Sequence, residues 1–204
     1  MSQINQRPAG KRELSKQANR VAILDAARDV FGEMGFEAAT VRDIIRRTPL
    51  SVGAFYNYFR SKDEVYDALA DEGARRFKPI LQNQAARATD FESYLRAGVR
   101  AYFDFIATEH EAFVAAQPHG DPRTRNTPEI LAVFEEVRGV LASVIDREIA
   151  GKVDLDYLTA SCIAVAREIG DRMLERRPMD VAAATDFVVR LFTGGLPALP
   201  RIEA

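Results

Sequence analysis

Of the residues that staple chains or ligate metals, the 204-residue sequence holds only one cysteine, Cys162, and two histidines, His110 and His119. One thiol cannot close an internal disulfide, so nothing here calls for an oxidising compartment. Three such side chains also fall short of the roughly four Cys or His ligands of a structural zinc site, and neither metal nor other cofactor is expected. No apolar run approaches the ~18 residues of a membrane span, and no charged, apolar, small-residue series opens the chain as a signal peptide would. The expected location is the cytoplasm. Strand alternation, a Gly-rich phosphate loop and internal repeats are missing as well, which leaves helices as the building material.

What is present is an ordinary globular composition, 47% hydrophobic and 28% charged, in a length that suits one generous domain or two small ones. The 28 Lys and Arg nearly balance 30 Asp and Glu, and a net charge of −2 at first argues against nucleic acid as a partner. The balance is an average over two unlike parts. Residues 1–62 hold eleven basic and six acidic side chains, for +5, while residues 63–204 hold 17 and 24, for −7. Over residues 1–20, Arg7, Lys11, Arg12, Lys16 and Arg20 stand against Glu13 alone, for +4. Such a stretch is either a solvated tail or an arm that tracks phosphates or enters a groove.

Ile23, Leu24, Ala27, Val30, Phe31 and Met34 recur at three- and four-residue steps, and Gly35 stands just past them as a helix stop. Thr40 caps a short second helix with Asp43 three residues on, and Val41, Ile44 and Ile45 supply its inward face. Pro49 forces Thr48 toward an extended conformation, so that helix ends near Arg47. Ser51 caps a third short helix through Tyr58, and Ser61 with Glu64 opens a fourth. A long helix, a short one, a tight turn and another short one make a helix-turn-helix, whose last helix lies in the DNA major groove.

The stretch Ser51-Val52-Gly53-Ala54-Phe55-Tyr56-Asn57-Tyr58-Phe59-Arg60-Ser61-Lys62 resembles the recognition helix and following cap of the TetR/AcrR family of bacterial transcriptional regulators. Its lead-in, Ile23-Leu24-Asp25-Ala26-Ala27 through Phe31, Gly35-Phe36 and Thr40-Val41-Arg42-Asp43-Ile44, does so too, and the resemblance covers about residues 20–66. Two positions depart from the family pattern: Thr48-Pro49 replaces a small residue and glycine in the turn, and Val65 replaces the usual leucine. The resemblance implies DNA contacts from Thr40, Val41, Arg42, Ser51, Val52, Gly53, Ala54, Tyr56, Tyr58 and Lys62. Chemistry supports several of these. Gly53 lets a backbone approach closely, Phe55 and Phe59 share an inward face and leave the tyrosines free, and Arg42 can reach a guanine edge or a phosphate. Lys62 begins a helix whose dipole it opposes, a conflict that a phosphate would remove. Thr40 adds a hydroxyl to the free amides of the second helix. Arg46 and Arg47 read more as a solvated face.

Further helices are expected near 61–84, kinked or broken at Pro79, then near 90–108, 109–117, 127–150, 155–177 and 180–194, with an exposed loop at Gln117–Pro122. The middle ones are rich in aromatics, which are most often core. By resemblance they also line an apolar pocket for a small organic effector, from Tyr94, Tyr102, Phe103, Phe105, Ile106, His110, Phe113 and Phe134, with Gln117, Arg138 or Arg167 orienting it. The arginines suit an acidic or fatty acyl effector, or else pair with Glu135, Glu168 or Asp171. Leu158, Cys162, Val165, Ile169 and Met173 form a stripe at steps of three and four, broadened by Ala160, Ala164 and Ala166, and the final helix carries Phe187, Val188 and Leu191. Periodicity alone fits a buried core equally well; the resemblance favours a two-fold four-helix dimer surface.

The expectation is therefore an all-α chain. A basic flexible arm over 1–19 precedes a helix-turn-helix domain over 20–66 and a larger helical effector-binding and dimerisation domain over 67–204. It is expected to be a homodimeric, sequence-specific regulator of double-stranded operator DNA, most simply a repressor released by its effector. The alternatives are an all-helical enzyme, for which only His110-Glu111 and His119-Asp121 offer acid–base pairs, and a helical protein-binding adaptor.

Overall fold

The computed structural model describes residues 11–108, 127–148 and 153–201. Among them are eight α-helices and one 3₁₀ turn, with no strand. The chain divides into two compact units, one reaching Leu69 and the other starting at Ala70. The expected helix near 109–117 and the loop at Gln117–Pro122 lie outside the described residues.

The first unit holds α1 (Lys11–Ala38), α2 (Val41–Ile45), α3 (Val52–Phe55) and the start of α4 (Lys62–Ala85). Ile23, Leu24, Ala27, Val30 and Phe31 face inward from α1 as their spacing requires. They meet Ile44, Ile45, Phe55, Phe59, Val65 and Leu69 in one core, in which Phe31, Phe36 and Tyr66 stack edge to face or tilted. Gly35 stops the regular helix as expected, at φ 77° and ψ 160°, a conformation nearly restricted to glycine. That turn sends Phe36 into the core, while Met34, expected inward, is left largely exposed.

Two expectations need correction here. The arm over 1–19 is not free of structure over its described part, since α1 is helical from Lys11 onward. Glu13, Leu14, Lys16, Gln17 and Ala18 are good helix formers with no Gly or Pro among them, so the helix propagates backward from its packed portion. The third helix is also shorter than Ser51–Tyr58. After Phe55 the chain tightens into i to i+3 turns, with the N–H groups of Asn57 and Tyr58 donating to Ala54 and Phe55 carbonyls at 3.1 and 2.9 Å.

The second unit holds the rest of α4, then α5 (Phe91–Thr108), α6 (Pro128–Glu148), α7 (Leu155–Glu175), α8 (Val181–Gly195) and the 3₁₀ turn Leu196–Ala198. Pro79 lies inside α4, and the helix runs on past it to Ala85. Helix α5 packs against α6, α7 and α8, and α7 against α6 and α8, around Phe103, Ile106, Leu141, Val144, Leu174 and Val188. Burying each of these side chains contributes about 1.5–3 kcal/mol. Asp154 and Asp180 cap α7 and α8, each accepting a backbone N–H from the first turn. Where α7 crosses α5, a methyl on Gly170 would come within 2.7 Å of Ile106 Cδ1, so the close crossing depends on a missing side chain.

Candidate nucleic-acid interface

Thr40 opens α2 as a full capping box. Its Oγ1 accepts from the Asp43 N–H at 3.3 Å, its own N–H donates to Asp43 Oδ2 at 3.0 Å, and its hydroxyl donates to the same oxygen at 2.5 Å. The hydroxyl is thus already engaged on both sides. These bonds from Thr40, with smaller help from Arg46 and Arg47, hold the Asp43 carboxyl below its ordinary range. Val41 is half-buried against the first core. Arg42 is exposed and has no side-chain partner among the described residues. The neighbouring arginines are occupied. Arg46 lies 3.6 Å from Asp43, and Arg47 makes a two-pronged contact with Glu33 of α1, one bond being 2.8 Å, which lowers the Glu33 pKa.

The turn after α2 is built by Thr48, whose hydroxyl donates to the Ile45 carbonyl at 3.0 Å and accepts from the Leu50 N–H at 3.2 Å. Ser51 then caps α3 by accepting from Ala54 N–H at 3.1 Å. Phe55 and Phe59 are buried, so the outward side is left to Ser51, Val52, Gly53 and Tyr56, with Ala54 and Tyr58 half-exposed. Tyr56 is 57% exposed although it is a large aromatic on a small core. At Gly53 an added Cβ would meet only Ser51 Oγ, at 3.9 Å, so no internal packing explains a residue that weakens a helix by about 1 kcal/mol. Tyr58 differs from the expectation of a free contact residue, because its hydroxyl accepts a hydrogen bond from Asn19 Nδ2 at 2.9 Å.

Lys62 is the largest departure. Its ammonium does not look outward for an anion. It donates to the carbonyls of Phe36, Glu37 and Ala39 at 2.7, 3.1 and 3.1 Å, with Nζ 4.5 Å from the Phe36 ring centroid. A cation at the start of α4 satisfies carbonyls that the end of α1 leaves open, so the conflict with the α4 dipole is offset within the unit. Linear spacing could not show that the end of α1, over twenty residues earlier, lies beside it.

Residues assigned to effector binding separate into three groups. Tyr94, Phe103 and Ile106 are buried in the second core, where burial above all raises the Tyr94 pKa. Tyr102, Phe105 and Phe134 are half-buried. Phe77, which sequence reasoning missed, joins them, its ring centroid 5.6 Å from Tyr102 and 5.5 Å from Phe105. Arg76 lies over Phe105 at 5.7 Å. Burial, reinforced by Asp171 and opposed by Arg167, raises the pKa of the Tyr102 hydroxyl. Arg138 is not enclosed as its helix suggested. It is half-exposed and its Nε donates to Asp156 at 2.6 Å. His110, Phe113 and Gln117 lie outside the described residues, as do the pairs His110-Glu111 and His119-Asp121. A separate groove is lined by Lys78, Ala132, Glu135, Glu136, Gly139, Val140 and Ser143, none of which belongs to the predicted set.

The predicted dimer stripe also divides. Leu158, Cys162, Met173 and Val188 are buried in this chain's own core, and Val165 and Ile169 are half-buried against it. Burial pushes the Cys162 thiol up to about 12. The outward face of α7 instead presents Tyr157, 76% exposed, with Ala160, Ser161 and Ala164, and α8 presents Ala183, Phe187 and Leu191, the last two 57% and 50% exposed. The largest apolar stripe of a helix goes to its own core, and the small-residue face remains outside.

Comparison with known proteins agrees with this geometry. Residues 23–69 match the family model described as bacterial regulatory proteins, tetR family. The HTH-type transcriptional activator FasR of Mycolicibacterium smegmatis is 25% identical over 201 residues, covering 95% of this chain and 92% of that protein. The HTH-type transcriptional repressor Rv1474c of Mycobacterium tuberculosis is 34% identical over 105 residues, 52% of this chain and 54% of that protein. Among solved structures, a transcriptional regulator FadR from Bacillus subtilis, in complex with stearoyl-CoA, shares the fold with a TM-score of 0.71 at 19% identity, covering 86% of this chain and 98% of that one. Fold and site together define a helix-turn-helix DNA-binding transcriptional regulator rather than an enzyme. Over residues 23–69 the chain carries the DNA-binding domain of the TetR family of bacterial regulators. Among the described residues no helix is long and apolar enough to cross a membrane.

Proposed function

We propose that the chain is a homodimeric repressor that reads an approximately palindromic operator and leaves it when a small organic effector binds the second unit. The observation that carries the DNA contact is the outward side of α3, where Gly53 has no internal justification and Val52 and Tyr56 remain uncovered. Val52 and Ala54 suit thymine methyl groups, and Arg42, exposed and unpaired among the described residues, suits a guanine edge or phosphate. Thr40, Val41 and Ser51 order the helix ends around them, and Lys62 acts by holding the end of α1. Two such units must meet half-sites about 34 Å apart, which requires a dimer. Its surface is the exposed face of Tyr157, Ala160, Ala164, Phe187 and Leu191, so Phe187 and Leu191 remain from the original assignment.

The effector is proposed to be an acidic compound with an apolar chain, a fatty acyl thioester being the leading class. Half-buried Phe77, Tyr102 and Phe105 supply an apolar surface with Arg76 and Arg167 close by, and a fold relative is a regulator in complex with stearoyl-CoA. Helix α4 runs from the first unit into the second and is the natural carrier of the signal. A tenfold release needs about 1.4 kcal/mol of difference in effector affinity between the two states. A second reading, activation, is favoured by FasR, a relative named as an activator.

Selection of genomic duplex DNA by the purified chain at moderate salt tests the first claim, and recovery of no enriched sequence refutes it. Transcription in vitro from the recovered promoter, with and without palmitoyl-CoA and stearoyl-CoA, then separates repressor from activator by the sign of the change.

A further inference from the structure

Residues 12–18 are a helical stretch left uncovered by the described residues of its own unit. Every one of them is exposed, Leu14 at 57% among them, and α1 gains cover only from Asn19. A free helix of this length is marginal in water, so this one exists as a continuation of the packed part of α1. It is a helical projection.

Its side chains are ordered by charge. Arg12, Lys16 and Arg20 follow at four-residue steps and share one face, with successive residues rising about 6 Å along the axis. Arg12 and Lys16 have no partner among the described residues. The root of the projection is fastened to the recognition segment. Asn19 Nδ2 donates to the Tyr58 hydroxyl at 2.9 Å, and the Arg20 guanidinium lies 5.1 Å from the Phe59 ring centroid. Bound in this way, the Tyr58 oxygen accepts from Asn19 and keeps its own O–H to donate.

We propose that residues 12–20 are a second DNA-gripping element, a basic helix that lies along the phosphate backbone flanking the bases read by α3, with the Asn19–Tyr58 hydrogen bond setting its direction. The inference rests on the reading of α3 as the recognition helix. Duplex DNA is the occupant because the uncovered face is cationic and continuous with the recognition segment. A flexible tail would sample many phosphates, whereas a helix fastened at Tyr58 holds its cations in register with a particular flank.

The test uses the full chain and the operator recovered by selection, in a long duplex and in one trimmed to the recognised bases. Arg12→Ala/Lys16→Ala keeps a good helix former at both positions, and circular dichroism verifies that helicity is retained. On the long duplex the double variant should bind more than tenfold more weakly near 0.1 M salt, with the slope of log K against log[salt] reduced by about 3.6, corresponding to two lost phosphate contacts in each protomer of the dimer. On the trimmed duplex the two proteins should converge. Asn19→Ala should give an intermediate slope on the long duplex. If wild type selects no sequence, the recognition reading fails and this inference with it. If wild type binds and the double variant keeps its slope, only the projection's role is refuted. An unchanged slope combined with a smaller particle mass for Leu14→Asp would likewise refute it, by assigning the projection to contact between copies.

Discussion

Replacing Lys62 by methionine removes one positive charge and almost no volume, and its consequence distinguishes a structural lysine from a phosphate ligand. Three carbonyls, those of Phe36, Glu37 and Ala39, lie 2.7–3.1 Å from Nζ, and the Phe36 ring lies beneath it. A hydrogen bond to a charged group is worth about 1.5–3 kcal/mol where water cannot replace it, and a partly exposed cation–π contact about 0.5–1 kcal/mol. The Glu37 bond is exposed and the other two part-buried, so water recovers much of the loss, and the whole set is put at about 2–3 kcal/mol. For a chain of this length, such a loss lowers Tm by about 5–10 °C. Thermal melts followed by circular dichroism should show that fall, while operator affinity measured well below the melt keeps the wild-type salt slope. Lys62→Arg should recover only part of it, because a planar fork does not reach three converging carbonyls as an ammonium does. A variant that melts like wild type but loses about two ions from the salt slope, one for each protomer, would refute the argument and return Lys62 to the phosphate.

Phe187→Glu/Leu191→Glu, at two side chains 57% and 50% exposed in the single chain, should convert a dimer to a monomer in light scattering and abolish tight operator binding while the helical circular dichroism spectrum is kept; a monomeric wild type would sink the interface assignment. Gly35→Ala should destabilise by about 1–3 kcal/mol in urea titration, because φ 77° and ψ 160° exclude a Cβ even though no atom crowds the position; a neutral result would show that the chain can reverse there another way. Acid should weaken the first unit. Asp43 and Glu33 titrate below their ordinary values of 3.8 and 4.5, so their contribution is present above those values and is lost as pH falls below them toward the lowered folded-state values. Asp43→Asn should flatten the acid limb of a melting curve, and an unaltered limb would show that the capping box carries no such linkage.

Local signals were legible wherever one residue acts on its neighbours. Thr40 with Asp43, Ser51 with Ala54 and the stop at Gly35 are fixed by hydrogen bonds or dihedral limits spanning a few residues, and the structure has all three. The inward positions of α1 and α3 follow from helical period for the same reason. Periodicity left two apolar destinations open, and the resemblance favoured the dimer surface. Leu158, Cys162 and Met173 obey the step that a dimer seam would show, yet the subunit's own core takes them, since a stripe reports that a face is buried and not by what. Arg138 and Arg47 show the same limit for charge, because partners 18 and 14 residues away decide whether a cation is free for a ligand.

The sequence by itself determined that the chain is helical, that a short capped helix follows a Pro-marked turn, and that its cations gather near the beginning while the remainder is acidic. Those properties reside in composition, period and cap chemistry, which act over one or two turns. Only the tertiary structure decided the fate of individual charges and apolar faces. It folded Lys62 back onto α1, engaged Tyr58 with Asn19, left Arg42 unpaired among the described residues, and kept Phe187 and Leu191 outside while drawing Cys162 in. The reason is physical: a side chain's energy depends on what lies within a few ångströms, and packing brings together groups that the chain keeps far apart.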